Sequence, residues 1–385
     1  MKITSVQPIV VHAQDTIKDM SDQQNVGGYA GFLVLVHIET DEGIDGWGEC
    51  STGGEFGEAA QAVKVLIEKG LAPRITGENP LAYRRIWERL YAAMEPYGRR
   101  GLGIFALSGI DTALLDITGK AYHLPISELF GGRHRTEIPL YASLLFDMDD
   151  PHKTAAKGLE YVKRGYTGVK FGWGLIPSKS FGKDAKKDEE IVSIIRDTIG
   201  PDVLLMVDVG RYVNWTAGYA IQMANRLAQY NVFWLEEPLP RDDLAGYARL
   251  TQSVDVTIAA GEGYQTVFDF KELIDRRAVD LLQPDVGKLG GLSEAKRVTE
   301  LARMHNVPWV PHNWSTSINT AASLQLVASS LDAFLLEFKE EPNPLVHNLS
   351  RQKFEIANGK MKIPDKPGLG FEVDLGILDR YAVGK

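Results

Sequence analysis

The chain has 385 residues, of which 44% are hydrophobic and 24% are charged, and its formal net charge is −9. This is the composition of an ordinary globular protein, and the negative charge argues against nucleic acid as the main partner, because phosphate backbones bind basic surfaces. The single Cys50 excludes an internal disulfide and fits a reducing compartment. The N-terminus lacks the apolar core of a secretory signal, and no apolar run reaches membrane-spanning length. We therefore expect a cytoplasmic protein without a membrane partner.

Residues 1–135 are predicted to form an α+β domain, because strand patterns precede a run of helical patterns. The strands are predicted at 6–11, 32–40 and 44–49, and the helices at 59–69, 81–94 and 103–121. Two polar, glycine-containing loops, 14–29 and 51–57, are candidate lids, with ordinary surface as an equal alternative.

Residues 136–345 alternate short apolar runs with helical patterns. Strands are predicted at 138–144, 168–171, 203–207, 232–235, 256–261, 279–283, 307–311 and 333–336. Seven helical patterns lie between them, whereas the proline-containing stretch at 340–344 after the last run does not suit a helix interior. Repeated strand–helix units predict a parallel barrel of the TIM type with eight strands and seven helices. The tail 346–385 is expected to return to the first domain.

Three consecutive strand patterns each end in a carboxylate: Asp208, Glu236 and Glu262. Catalytic side chains of a parallel barrel lie at the C-terminal ends of its strands. The three acids are therefore expected to face one point, separated by about one strand spacing, roughly 5 Å. Such acids repel one another unless a hard cation lies between them, and ligation by oxygen alone favours magnesium. The sequence thus predicts a magnesium site.

The same register places four further polar residues at the barrel mouth. Asp285 and His312 follow strands six and seven, where a carboxylate that orients an imidazole would form a general base. Lys170 ends strand two, either facing the acids or extending to the surface. Glu337 ends strand eight, either as a buried acid kept protonated for an oxyanion or as a solvated acid at a loop start.

Several motifs occur in a fixed order along the chain. They are Gly46-Trp47-Gly48-Glu49, the helix at 107–116 with Gly119-Lys120 and Gly131-Gly132, Glu236-Glu237-Pro238, Gly261-Glu262, Gln283-Pro284-Asp285, Pro311-His312 and the turn-rich stretch at 364–370. Together they resemble the enolase superfamily, and within it the mandelate racemase subgroup. The resemblance implies a modified (β/α)7β barrel with an N-terminal α+β capping domain that the C-terminal tail completes.

The resemblance also implies roles for the residues at the mouth. One Mg²⁺ per subunit would be held by Asp208, Glu236 and Glu262. His312, oriented by Asp285, would abstract the proton next to a substrate carboxylate. Lys170 would neutralise that carboxylate, and Glu337 would hydrogen-bond it. Relatives of this kind are commonly dimers or octamers, so a homo-oligomer is expected.

Three features depart from the subgroup's pattern. Gly172 stands where a second lysine commonly follows Lys170, which argues against a racemase that uses two bases. Gly210, followed by Arg211, stands where relatives often have Asn or His, and the loop at 175–187 is long. A single base with a metal suits β-elimination.

The resemblance, with these departures, implies an acid-sugar dehydratase that converts an aldonate or aldarate to a 2-keto-3-deoxy acid. The polar residues Gln23, Gln24 and Asn25 of the first candidate lid suit such a substrate. Two alternatives stay open: a cycloisomerase or epimerase acting on a sugar-acid lactone or related carboxylate, and a non-catalytic metal-binding barrel.

Overall fold

The structure is a computed structural model that describes residues 1–13, 31–54, 56–174, 177–210 and 213–384. The candidate lid 14–29, with Gln23, Gln24 and Asn25, lies outside the described residues, and so does Arg211.

The described part of the chain begins with a three-stranded antiparallel sheet whose middle strand is the second in sequence. The strands are β1 (Ile3–His12), β2 (Phe32–Thr40) and β3 (Asp45–Cys50). Helices follow, as the sequence predicts: α1 (Glu58–Val65), continued by a π-helical turn at Leu66–Leu71, α2 (Ala72–Ile75), α3 (Tyr83–Gly98), α4 (Leu102–Tyr122) and α5 (Ile126–Leu129).

Helix α4 is the central helix of this domain and packs directly on β3. A Cβ atom added to Gly48 would lie 1.9 Å from the carbonyl oxygen of Gly109, so the strand and the helix touch backbone to backbone. Only glycine permits so close an approach. The expectation that no apolar run reaches membrane-spanning length is wrong for this helix, which is long and apolar enough to cross a membrane, but 89% of its most apolar stretch is buried inside the protein. Such burial is typical of a core helix.

Parallel strands form the second part of the fold. They are β4 (Glu137–Leu145), β5 (Gly168–Gly172), β6 (Leu204–Asp208), β7 (Val232–Glu236), β8 (Thr257–Ala260), β9 (Leu281–Leu282) and β10 (Leu336–Lys339). Strands β4 to β9 pair in sequence order, and β10 returns to pair in parallel with β4. This arrangement is the modified TIM-type barrel expected from the sequence.

Two strand predictions in this part are wrong in detail. The stretch 307–311 forms only a single bridge, between Trp309 and Leu282 of β9. Pro308 and Pro311 lack the N–H groups that a longer ladder needs. The eighth strand was expected at 333–336 but spans Leu336–Lys339. Glu337 therefore lies inside the strand and not after its end.

Seven helices surround the sheet. They are α6 (Pro151–Lys163), α7 (Ala185–Ile199), α8 (Ala217–Ala228), α9 (Leu244–Thr251), α10 (Thr266–Asp275), α11 (Leu292–Met304) and α12 (Ser317–Ala328). Directly after β10, where an eighth barrel helix would follow, the described chain forms the four-residue helix α13 (Pro344–His347). Proline at the first helical position is tolerated because its missing N–H would have no partner there.

The barrel interior is filled by a separate apolar cluster to which nearly every strand segment contributes. Its buried members are Tyr141, Met206, Trp234, Ala259, Leu281, Val310 and Leu335. Side chains of a strand alternate between its two faces, so residues two positions further along several of these strands also face inward. Glu236 and Glu337 occupy such positions.

The C-terminal tail touches both parts of the fold. It contains β11 (Ile356–Ala357), β12 (Lys360–Lys362) and α14 (Leu375–Tyr381). β12 pairs antiparallel with β4 of the barrel. Further on, the Val383 N–H donates to the Val10 carbonyl of β1. The tail thus completes the capping domain, as the resemblance implied.

Candidate active site

Two adjoining cavities open at the C-terminal ends of the barrel strands. Lys170, Asp208 and Glu337 line the first, and Asp285 lines the second, which measures about 200 Å³; His312 lines both. Residues 51–54 of the second candidate lid also line the second cavity. All predicted site residues except Glu236 therefore line one space beneath the capping domain, and Glu236 contacts Lys170 at its edge.

His312 and Asp285 are hydrogen-bonded, as their positions after neighbouring strands predict. The distance between His312 Nδ1 and Asp285 Oδ2 is 2.6 Å. The other oxygen of Asp285 accepts from the Gly287 N–H at 2.8 Å and from Asn319 Nδ2 at 3.3 Å, which fixes the carboxylate. Because Asp285 engages Nδ1, the atom of His312 that is left to move a proton is Nε2.

The charge of His312 depends on the carboxylates around it. Its Nε2 atom lies 2.7 Å from Glu262 Oε2. Burial and the nearby Lys288 lower the pKa of His312, but Glu262, Glu337 and Asp285 outweigh them and raise it to about 10. In this arrangement the imidazole is a cation held between two acids. We call Glu262, His312 and Asp285 the outer cluster.

Lys170 does not extend to the surface. Its side chain is buried within β5, and its Nζ atom lies 2.6 Å from Glu236 Oε1 and 2.9 Å from Glu337 Oε1. Burial lowers the pKa of Lys170, but the two carboxylates raise it well above its usual value. The group is therefore a permanent ammonium and not a proton acceptor. We call Lys170, Glu236 and Glu337 the inner cluster.

Glu337 matches neither of the two states expected from the sequence. It is fully buried, so it is not a solvated acid. Burial raises its pKa, but Lys170 and His312 lower it to about 2, so it is not kept protonated. Its Oε2 atom accepts from the Asn313 N–H at 2.7 Å. Glu337 is a buried carboxylate that adjacent cations keep ionised.

The three predicted metal ligands lie at neighbouring positions of the barrel, and other side chains engage two of them. Asp208 and Glu236 are register partners on β6 and β7, and Glu262 follows β8. Within the described residues, no group of three His, Cys, Asp or Glu side chains is arranged to hold a metal ion. Hydrogen-bond donors of the protein orient two of the acids. Gln283 Nε2 lies 2.6 Å from Glu236 Oε2, and His312 Nε2 lies against Glu262.

The surroundings of Asp208 nevertheless fit a divalent cation. Burial raises the pKa of this carboxyl well above its usual value, and repulsion from Glu236 and Glu262 adds to the effect. No described residue donates a hydrogen bond to its side chain. A buried carboxylate in this position needs a counter-charge, and ligands that are all oxygen suit magnesium. Asp208, Glu236 and Glu262 are the residues that would hold it.

The two glycines that depart from the subgroup's pattern have different surroundings. A Cβ atom at Gly210, whose φ is +70°, would lie 2.4 Å from Cδ1 of Trp173. This glycine therefore makes room for Trp173, which lines the first cavity. Gly172 is the register partner of Asp208, and its Cβ would lie 3.2 Å from Asp208 Oδ2. Position 172 therefore provides no second lysine, and the one lysine of this strand end, Lys170, is paired with acids.

Sequence reasoning missed two cations of the site. Arg241 contacts both Glu237, with Nη2 2.8 Å from Oε2, and Glu262. Lys288 is buried, with Nζ 3.5 Å from Asp285 Oδ2. Arg241 follows Glu237 by four residues, and Lys288 follows Asp285 by three. This spacing in the sequence could have indicated both ion pairs.

Comparison with known families decides the assignment. Residues 24–131 match the N-terminal domain of the mandelate racemase / muconate lactonizing enzyme family, and residues 153–377 match the enolase C-terminal domain-like family. The chain belongs to the enolase superfamily. Within it, the N-terminal match places the chain in the mandelate racemase subgroup, which confirms the resemblance.

Relatives with different activities are similar to the chain over most of its length. It is 34% identical to D-galactarolactone cycloisomerase from Agrobacterium fabrum, over 90% of both chains. It is 32% identical to arabinonate dehydratase from Saccharolobus solfataricus, over 95% of both. The chain is thus similar to relatives of both classes, and we conclude that it is an enzyme with superfamily-type chemistry.

Solved structures agree with the fold. The 3,6-anhydro-D-galactonate cycloisomerase from Zobellia galactanivorans superimposes with a TM-score of 0.87 at 31% identity, over 100% of both chains. A racemase from Streptomyces coelicolor, whose structure contains bound magnesium, superimposes with a TM-score of 0.85 at 26% identity, over 99% of this chain and 100% of the other.

Proposed function

We propose that this enzyme is a magnesium-dependent acid-sugar dehydratase, a lyase that removes water from an aldonate or aldarate. The observation that carries the proposal is the His312–Asp285 hydrogen bond of 2.6 Å beside a lysine that two acids already neutralise. One base suits elimination, whereas racemisation by two bases needs a second proton acceptor. When bound by Asp208, Glu236 and Glu262, magnesium would supply positive charge for the carboxylate of the deprotonated substrate.

The chain's own residues provide the remaining steps. Glu262 would no longer hold His312 as a cation once its carboxylate binds magnesium. Neutral His312 Nε2 then removes the proton next to the substrate carboxylate, and the electron pair of the broken C–H bond forms an enediolate. That pair then forms the C2–C3 double bond while the C3–O bond breaks. Protonated His312 returns its proton to the departing hydroxyl, which leaves as water, and the enol product tautomerises to a 2-keto-3-deoxy acid. With Glu236 bound to the metal, Lys170 would keep only Glu337 as a carboxylate partner and would balance the charge of the substrate carboxylate.

A lactone cycloisomerase is the second candidate, and the 34% identity to D-galactarolactone cycloisomerase favours it. That reaction also needs only one proton-abstracting face. Its leaving group on the β-carbon is a ring oxygen and not a hydroxyl. We further propose a cytoplasmic homo-oligomer with no nucleic-acid or membrane partner, consistent with the composition of the chain.

The test is a screen of purified enzyme with Mg²⁺ against open-chain sugar monoacids and diacids, with 2-keto acid formation as the readout. Turnover of an open-chain acid supports the dehydratase. Product from lactones alone would replace it with the cycloisomerase. Proton exchange next to the carboxylate in D₂O, without product, would contradict elimination. The His312→Asn variant serves as the control for product formed by a contaminant.

A further inference from the structure

Lys339 is a buried lysine that the proposed reaction does not use. It is the last residue of β10, and only 5% of its surface is exposed. Within the described part of the chain, two other lysines are buried, and both lie within ion-pair distance of carboxylates: Lys170 and Lys288. Lys339 has no such pair there. Its Nζ atom lies 4.8 Å from the ring centroid of Trp314.

The acids nearest to Lys339 are engaged by other donors. Burial lowers the pKa of Lys339 to about 8, and Glu341, Glu337 and Glu49 counter this only in part. Glu341 lies 2.5 Å from Lys157, Glu337 lies 2.9 Å from Lys170, and Glu49 accepts from the Thr316 N–H at 3.1 Å. A buried ammonium without its own hydrogen-bond acceptor is costly. An acceptor from outside the chain would relieve that cost.

Trp314 adds a second donor at the same place. Its side chain lines both cavities and contacts Lys339. Among the described residues, no acceptor lies within hydrogen-bonding distance of its indole N–H. Trp309 shares this property, but it lies at a different part of the fold, whereas the N–H groups of Trp47, Trp87, Trp215 and Trp234 all have an acceptor. Two adjacent donors without protein acceptors indicate a site for an anionic oxygen.

The register of the sheet sets the distance between Lys339 and Lys170, the residue at the reacting end of the substrate. Lys339 is the register partner of Ser143, and Ser143 is the partner of Lys170. Partners in a parallel ladder face the same side, so all three side chains face the barrel interior. The Cα atoms of the two lysines are two strand spacings apart, about 10 Å. The two flexible side chains extend from this separation toward the interior, so their ammonium groups can contact the two ends of an extended five- or six-carbon diacid.

We propose that Lys339 and the indole N–H of Trp314 form a subsite for a second carboxylate of the substrate, so that the enzyme prefers sugar diacids to sugar monoacids. The inference rests on the proposed function, in which Lys170 neutralises the carboxylate next to the reacting carbon. With an aldarate lactone, the same subsite receives the lactone carbonyl group, which becomes a carboxylate when the ring opens.

The kinetic test compares diacids and monoacids of matched stereochemistry, galactarate with galactonate and glucarate with gluconate. Removing a charged hydrogen bond by Lys339→Gln is expected to lower the diacid-to-monoacid ratio of kcat/KM by roughly 10- to 100-fold. Lys339→Arg should restore part of the ratio. Lys153→Gln, which removes the same charge from an exposed position beside β4, should leave the ratio unchanged. An unchanged ratio in Lys339→Gln overturns the subsite.

A binding test separates failure of the subsite from failure of the proposed reaction. Calorimetry of the Mg²⁺-loaded enzyme with unreactive adipate and hexanoate should give at least about tenfold tighter binding of adipate, lost in Lys339→Gln. Equal binding of the two acids overturns the subsite. Tighter adipate binding without turnover of any sugar acid supports the subsite and overturns the reaction. Trp314→Phe, which keeps a ring but removes the N–H, gives the same comparison if Lys339→Gln does not fold.

Discussion

The inner and outer clusters of the site each place a cation between two carboxylates, but different parts of the fold hold the two cations. The inner cluster places one lysine cation between two carboxylates, and all three residues belong to barrel strands. The outer cluster places an imidazole between two carboxylates, and its residues follow the strands in loops. Lys288 and Arg241 also contact the acids of the outer cluster.

This difference separates a fixed charge from an adjustable one. The strand ladder fixes the spacing of the inner cluster, and the low dielectric of the interior makes its ion pairs strong and the loss of one partner costly. Glu262 of the outer cluster shares its oxygens between His312 and Arg241, so either partner can give way without leaving the acid alone. We expect the inner cluster to provide permanent electrostatics and the outer cluster to move protons.

The largest effect is expected from His312→Asn in the outer cluster. Asparagine can still donate to Asp285 but cannot accept a proton, so exchange of the proton next to the substrate carboxylate should slow by roughly 10²- to 10⁴-fold. Proton NMR in D₂O measures the rate, and the thermal midpoint should stay near that of the unaltered enzyme. Exchange at the original rate would exclude His312 as the base.

Lys170→Met tests the inner cluster through stability. The variant leaves Glu236 and Glu337 buried without their cation, and the free energy of unfolding should fall by about 3–5 kcal/mol. Urea denaturation at neutral pH measures the change. Lys153→Met, at an exposed position, should change it by less than about 0.5 kcal/mol. Equal effects of the two variants would contradict the fixed-charge interpretation.

Asp208→Asn tests the one predicted metal ligand that belongs to neither cluster. At a free Mg²⁺ concentration of 100 Kd, the unaltered enzyme should gain about 2.7 kcal/mol of stability. The variant should gain much less at the same concentration, because it lacks one anionic ligand. A thermal-shift titration with Mg²⁺ reports both. The exposed Asp149→Asn should behave like the unaltered enzyme, and full Mg²⁺ stabilisation of Asp208→Asn would contradict the assignment.

The smallest effect is expected at Asp188, a buried acid that has no cation, unlike the acids of either cluster. Its Oδ1 atom accepts from the Gly182 N–H at 3.0 Å, and its Oδ2 atom has no partner among the described residues. Burial raises the pKa of Asp188 from 3.8 to about 7, so between these values the folded state retains a proton that the unfolded chain has lost. Its contribution to stability should therefore decline from about pH 4 to pH 7 and stay lost above.

Asp188→Asn should remove this decline and gain roughly 1–2 kcal/mol over the unaltered enzyme at pH 8. Thermal unfolding from pH 4 to pH 8 measures the difference. The matched control is Asp197→Asn, at an exposed position of the same helix. The same pH profile in both variants and in the unaltered enzyme would show that Asp188 does not titrate in this range.

The sequence predicted which residues meet at the mouth, because a strand end is a local feature and the barrel brings strand ends together. His312 and Asp285 lie on neighbouring strand ends, and their hydrogen bond could be predicted. The pairing of Lys170 with Glu337 could not, because it depends on the distance from β5 to β10 across β4. The ionised state of Glu337 was missed for the same reason.

Two further misses have local causes. The eighth strand was placed too early because its apolar run begins before Leu336, and an apolar run alone does not mark where pairing begins. Gly210 was noted only as a departure from the Asn or His of relatives, and the sequence did not show that its lack of a side chain makes room for Trp173. The volume that a neighbouring side chain occupies is a property of the folded state, and a single sequence does not contain it.

The backbone contact between Gly48 and Gly109 limits how this enzyme can diversify. Since no side chain fits between β3 and α4, the framework of the capping domain cannot be respaced by small steps. New substrate ranges must come from residues that the framework carries over the barrel, such as 51–54. In a mutagenesis library selected for growth on new acids, we expect positions 48 and 109 to stay invariant while 51–54 accumulate the surviving changes.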